Sequence, residues 1–152
     1  MSIYPTPTPS LTRTTHHPSR ILIVDDHDST RRAMRLLLER DENLVVCGEA
    51  ANGREAVDRA MSLRPDVIVM DVAMPRMNGL QAAEEIGKAL PDSRVLLVSL
   101  SPSEHLLPTK RGTIYGLVSK QHAAAELPQA VHALLDGHTY FKKEANTFYG
   151  SN

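Results

Sequence analysis

The sequence predicts an α/β protein built on a doubly wound, five-stranded parallel sheet covered by helices on both faces. Two observations carry that expectation. Five short, mostly apolar runs recur along the chain, Ile21–Val24, Leu44–Cys47, Val67–Met70, Val95–Leu100 and Ile114–Val118, which is how strands buried on both faces read. Between them lie segments with apolar residues at helical spacing, so strand and helix alternate as parallel crossovers require.

Taken in order, the first run ends in Asp25-Asp26. Asp28 or Ser29 can then cap a helix reaching about Arg40, with Ala33, Met34, Leu37 and Leu38 on one face. After the second run, Asn52-Gly53 opens a helix that buries Ala56, Val57, Ala60 and Met61, and Pro65 closes the segment. The third run leads into a helix from Gly79 to Leu90, stopped by Pro91. Pro102 and Pro108 leave room for only a short or irregular fourth helix between the fourth and fifth runs. The last helix is expected over Ala124–Asp136 with Gly137 as its stop, and Pro128 implies either a late start or a kink. Residues 1–19, rich in proline and hydroxyls, are expected to be a flexible tail; 20–141 form the domain and 142–152 a second tail.

At 152 residues the chain is long enough for one domain with a real core. A net charge of −1 with mixed signs gives no basic footprint for nucleic acid, and the few aromatics offer no stacking surface. A single cysteine, Cys47, excludes an intrachain disulfide and reads as a small core residue. No run approaches the roughly 20 apolar residues that span a bilayer, and the N-terminus has no secretory core, so a cytoplasmic protein is expected.

The polar residues of interest fall at strand ends. Asp25 and Asp26 follow the first strand, Asp71 the third, Ser99 the fourth and Lys120 the fifth. In doubly wound sheets, ligands bind outside the carboxyl ends of the strands. Three carboxylates gathered there need a cation, and Mg2+, a hard ion taking oxygen ligands, answers that need. Each residue alone has a plainer reading: Asp25-Asp26 as a helix cap, Asp71 as a turn residue, Lys120 as a solvated charge. Their joint occurrence at successive strand ends favours chemistry. His27, beside the acidic pair, is read as a surface residue because Mg2+ prefers oxygen.

The segments ILIVDD (Ile21–Asp26) and VIVMDVAMPRMNG (Val67–Gly79), with Ser99 and Lys120, resemble the receiver domains of two-component response regulators. The resemblance covers about Arg20 to Phe141. It implies the flavodoxin-like (βα)5 three-layer fold and a phosphoacceptor signalling domain that catalyses only its own phosphorylation and dephosphorylation. By the same resemblance Asp71 is the phosphoacceptor, with Ser99 and Lys120 contacting the phosphoryl oxygens. Asp26, Asp71 and the Ala73 backbone carbonyl would hold Mg2+, and Asp25 would act through a bound water. The implied partner is a sensor histidine kinase or a phosphotransfer protein, with a homodimer possible.

Asn43–Ala50, Asn52–Ala56 and Asp136–Phe141 are similar to the receivers of nitrate-response-type regulators, which carry a LuxR-like helix-turn-helix domain. Only eleven residues follow Phe141, so no DNA-binding domain and no direct nucleic-acid contact are expected of this chain. Some positions depart from the family. Leu100 stands where a small residue usually leaves a path to the phosphoacceptor. Ala73 has no side chain to orient water, which implies slow self-hydrolysis. The usual aromatic switch position holds Leu117; Tyr115, placed by strand alternation on the same face, either substitutes for it or the switch is missing. An alternative function is therefore a phosphorylation-independent interaction module with the receiver fold.

Overall fold

The computed structural model describes residues 17–141, so most of the first expected tail and all of the second lie outside the described residues. The elements run β1 (Ser19–Val24), α1 (Asp28–Leu38), β2 (Leu44–Ala50), α2 (Gly53–Leu63), β3 (Val67–Asp71), α3 (Gly79–Ala89), β4 (Arg94–Ser99), β5 (Ile114–Ser119), α4 (Ala123–Leu135) and β6 (Tyr140–Phe141). One parallel sheet takes the order β2-β1-β3-β4-β5-β6. The chain winds outward in opposite directions from β1 and β3, which makes their adjacent carboxyl ends the switch point of the sheet.

Burial explains why the apolar runs became strands. Ile21 to Val24, Val67 to Met70 and Val95 to Val98 are all buried, their alternate side chains feeding two separate clusters. Leu22, Val24, Ile68, Met70 and Leu97 pack with α2 and α3 through Ala56, Val57, Ala60, Ala82, Ala83 and Ile86. Ile21, Ile23, Val67, Val69, Leu96 and Val98 pack with α1 and α4 through Met34, Leu38, Leu127, Ala130, Val131 and Leu134. The helix starts follow local chemistry. The Asn52 side chain accepts a hydrogen bond from the Glu55 backbone N–H at 2.8 Å. Asn78 and Gln81 form a reciprocal capping box, each bond 2.9 Å.

Two register irregularities correct the simple alternation. β2 continues past the apolar run to Ala50, and Cys47 is the extra residue of a bulge: Ile21 pairs with Val46 and Leu22 with Gly48. Cys47 is half-buried rather than a core residue, and burial pushes its thiol pKa up. On β5, Ile114 pairs with Val95 and Gly116 with Leu96, so Tyr115 is the extra residue there. The bulge overturns the expected alignment of Tyr115 with Leu117. Leu117 packs on the α2–α3 side, whereas Tyr115 packs on the α1–α4 side with the Arg94 guanidinium 5.2 Å from its ring centroid.

The sheet also has six strands rather than five. Gly137, at φ +88°, ends α4 in a Schellman motif: Gly137 N–H donates to Leu134 O at 3.0 Å and His138 N–H to Ala133 O at 2.9 Å. The chain then turns back and lays Tyr140 and Phe141 beside Gly116 and Leu117, with Arg111 stacked 4.6 Å from the Phe141 ring centroid. α4 begins at Ala123, so Pro128 lies inside it, where it removes one helical hydrogen bond. Between β4 and β5 the prolines leave a single 3-10 turn, Glu104–Leu106, in place of a helix. α1 stops at Leu38, short of Arg40, and Glu39 is its C-cap.

Glu49 fastens α1 to β2. Its carboxylate accepts from Arg35 Nη1 at 2.8 Å and from Arg31 Nε at 3.0 Å. These bonds, Arg35 first, hold its carboxyl below the ordinary range against the opposing effect of burial. A carboxyl with a depressed folded-state pKa adds stability above its unfolded pKa, and that contribution is lost as pH falls through the folded-state value. Glu49→Gln is expected to cost about 1 kcal/mol at neutral pH, discounted for partial exposure. In denaturant titrations the deficit should vanish once acid has protonated Glu49 in the wild type. A deficit independent of pH would assign the effect to packing instead.

Candidate functional site

The strand ends bring the expected residues together. Asp25 extends β1, its N–H donating to Ala50 O at 3.1 Å, and its side chain is fully buried. Asp71 closes β3 at 3% exposure. Lys120 follows β5 directly and reaches across the switch point: its Nζ lies 3.0 Å from Asp25 Oδ2 and 3.1 Å from Asp71 Oδ2. Ser99 ends β4, where Asp71 pairs with Val98 and Ser99 with Ser119. The Ser99 hydroxyl oxygen accepts from Ser101 N–H at 3.1 Å, which turns the chain away from the strand.

Asp26 stands more open, yet its Oδ1 is inaccessible to solvent and accepts no hydrogen bond; Asp25 Oδ2 also lacks a hydrogen bond of good geometry. Buried carboxylate oxygens without donors are costly, and a cation is one way to satisfy them. His27 is exposed, as expected, but its ring folds back onto the pair: Nδ1 is 3.3 Å from Asp25 Oδ1 and 3.1 Å from Asp26 Oδ1.

Electrostatics follow from burying these groups together. Burial raises the pKa of the Asp71 carboxyl and repulsion from Asp25 adds to this, while the hydrogen bonds from Lys120 and from Ala73 N–H pull it down. The net direction is upward. Burial works against the Lys120 ammonium, but its close contacts with the Asp25 and Asp71 carboxylates outweigh that and its pKa is raised. The pocket thus favours the charged form of Lys120 and disfavours that of Asp71.

The loop after Asp71 is tightly closed. Gly79 N–H donates to Val72 O at 2.8 Å and Met77 N–H to Pro75 O at 2.8 Å, which forces Arg76 to φ +69°. A hydrogen bond spanning two residues with positive φ at the centre is a strained γ-turn. Ala73 lies exposed in this loop, its N–H 3.2 Å from Asp71 Oδ1. A Cβ on Gly79 would fall on the Asp71 carbonyl oxygen and 3.0 Å from Val72 Cα; one on Gly53 would stand 2.6 Å from Met77 O. The Met77 contact lies outside what spacing in the sequence can show.

Arg31 was not singled out from the sequence either. Its Nη1 donates to the Asp25 backbone carbonyl at 2.7 Å, while other atoms of the guanidinium bond Glu49 and Asp28. An arginine one helical turn after the acidic pair was the available signal. Leu100 is 68% exposed, so it stands in solvent just beyond Ser99 rather than packing into the core.

Residues 21–132 match the response regulator receiver domain family. The chain is 34% identical over 127 residues to the response regulator GacA of Pseudomonas viridiflava, covering 82% of this chain and 59% of that protein. It thus spans about three-fifths of the length of that curated relative. Among solved structures, it is similar to a LuxR-family two-component response regulator from Aurantimonas sp. SI85-9A1, with 31% identity and a TM-score of 0.75 over 81% of this chain and 89% of that one. It is also similar to the signal receiver domain of the response regulator NarL from Mycobacterium tuberculosis, with 27% identity and a TM-score of 0.74 over 80% and 99% of the respective chains. No helix among the described residues is long and apolar enough to cross a membrane.

Two outcomes are expected from this geometry. Lys120→Ala leaves two buried carboxylates without their shared cation and should lower stability at neutral pH by roughly 2 kcal/mol, read by chemical denaturation. Unchanged stability would mean that solvent already compensates Asp25 and Asp71. Gly79→Ala should cost about 1–3 kcal/mol, because its Cβ meets backbone that cannot move alone; a neutral result would show the Asp71–Gly79 loop to be pliable. With sequence, fold and strand-end carboxylates in agreement, the chain belongs to the response regulator receiver domain family of two-component signalling.

Proposed function

We propose that this receiver is an active phosphoacceptor, charged on Asp71 by a sensor histidine kinase or a phosphotransfer protein. The observation that supports it most is Lys120 set between Asp25 and Asp71, 3.0 and 3.1 Å from their carboxylates. A solvated lysine has no reason to accept burial between two strand ends. A lysine that must later hold a phosphoryl oxygen does.

Asp26, Asp71 and the Ala73 carbonyl would hold Mg2+, with Asp25 acting through water; the donor set is all oxygen, as that ion prefers. When bound, the ion neutralises charge on the transferring group. An Asp71 carboxylate oxygen attacks phosphorus and forms the new P–O bond, while the bond to the donor breaks and the donor leaves with its electron pair. Lys120 keeps its ammonium near Asp71 throughout and pairs with a phosphoryl oxygen. The Ser99 hydroxyl, whose oxygen accepts the Ser101 N–H, keeps its own proton to donate to another.

Incubation with acetyl phosphate and Mg2+ should add one phosphoryl group by intact mass, and Asp71→Asn or removal of Mg2+ should abolish it. The phosphoform should hydrolyse slowly, because Ala73 positions no water; a half-life of seconds would contradict that. No mass gain, even after Leu100→Ala opens the rim, would turn the reading to a phosphorylation-independent interaction module. The aliphatic Leu117 in the core and the bulge that sends Tyr115 to the opposite face favour that second reading.

A further inference from the structure

The His27 ring is exposed to 66% and free of any packing duty, yet it is drawn onto the acidic pair. Its backbone N–H donates to Asp25 Oδ1 at 2.8 Å, which curls the chain so that the ring faces back over the strand end. Nδ1 then lies 3.1 Å from Asp26 Oδ1 and 3.3 Å from Asp25 Oδ1. The contact with Asp26 lacks hydrogen-bond geometry, since Asp26 Oδ1 accepts no bond although it is closed to solvent. One potential ligand atom from each of Asp25, Asp26 and His27 lies within 4.8 Å of the others.

Those spacings suit an ion. Two cis ligands on an octahedral ion with bonds of about 2.1 Å stand roughly 3.0 Å apart. The separation between Nδ1 and Asp26 Oδ1, 3.1 Å, is close to that value, while the 3.3 Å contact with Asp25 Oδ1 is a hydrogen bond that orients the ring. The buried Asp26 Oδ1, which accepts no hydrogen bond, is the oxygen there that a cation would satisfy, Asp25 Oδ2 being already faced by the Lys120 ammonium at 3.0 Å. A nitrogen beside carboxylate oxygens also changes which ion fits best. Imidazole adds little for Mg2+ and much for divalent ions of the first transition series, with Ni2+ above Co2+ and Mn2+.

We propose that His27 is a nitrogen ligand of the divalent ion held beside Asp25 and Asp26, and that it tilts the site toward transition-metal ions over Mg2+. The proposal rests on the reading that this acidic pair holds a divalent ion. His27 touches the ion through Nδ1 and leaves Nε2 to solvent. The site can still take Mg2+ through its oxygens alone.

The test uses the full chain, freed of metal by chelation, with wild type and His27→Ala compared. Pulsed EPR of the Mn2+-loaded wild type should show a directly coordinated nitrogen, absent from His27→Ala. By calorimetric titration, Ni2+ should bind His27→Ala about 10–100-fold more weakly than wild type, while Mg2+ binding changes far less. Mn2+ bound without a nitrogen signal, or Ni2+ and Mg2+ affinities shifting alike, would overturn the role of His27 and leave the oxygen site intact. No binding of any ion by the wild type would overturn both this inference and the metal part of the proposed function. His27 is exposed, so the variant should fold, and circular dichroism checks that directly.

Discussion

The structure depends on one electrostatic conflict: two buried carboxylates at neighbouring strand ends share a single ammonium. Asp25 and Asp71 sit where β1 and β3 diverge, and Lys120 lies within 3.1 Å of both. Burial raises the cost of charge on Asp71, and Asp25 adds repulsion. One lysine cannot neutralise two carboxylates, and Asp26 stands next to them with an oxygen that no donor reaches. Charges left this way are costly, and strain of this kind gathers at functional sites.

The surrounding fold is arranged to hold that conflict in place. β1, β3 and β4 are apolar on both faces, so their ends cannot shift without disturbing two cores at once. Arg31 fixes the Asp25 carbonyl from α1. On the other side, the loop from Asp71 closes on Gly79, and Met77 of that loop leaves no room for a Cβ at Gly53 on α2. The carboxylates are therefore located by backbone and packing as well as by the His27 and Ala73 N–H groups that donate to Asp25 and Asp71. A frame of this kind holds charged groups in place before any ligand arrives, a form of preorganisation.

Much of this was legible in the sequence because the determinants are local. Apolar runs of four to six residues mark the central strands, and Asn52 announces a helix through a cap that forms as its residue type suggests. The two prolines between β4 and β5 correctly exclude a full helix there. Single-residue events were harder to see. A bulge carries no compositional signature, so alternation misplaces Tyr115, and membership of an apolar run suggests a core position that the half-buried Cys47 does not hold. β6 has only two residues and exists because Gly137 reverses the chain and β5 offers an open edge. The site residues could be listed from strand ends, but the bridging of Lys120 and the fold-back of His27 are distances that only the folded chain contains.

The β5 bulge has a wider consequence. A side chain that relays a change at Asp71 must be able to move between the core and the surface, and such movement needs a loosely held neighbour. Leu117 is buried in the α2–α3 cluster, and Tyr115 lies on the other face under Arg94, whose Nη1 also donates to Leu134 O at 3.1 Å. Arg94 thereby ties the ring to the end of α4. Neither residue has the freedom that a rotating switch requires. The stretch from Leu100 to Gly112 has one 3-10 turn and exposes Leu100 and Leu106, while Leu107 packs on the α2–α3 core and Arg111 stacks on Phe141. It starts at the turn where Ser99 accepts the Ser101 N–H. A change in the hydrogen bonding of Ser99 would compete with that turn directly, so any such change is felt first where the chain leaves β4.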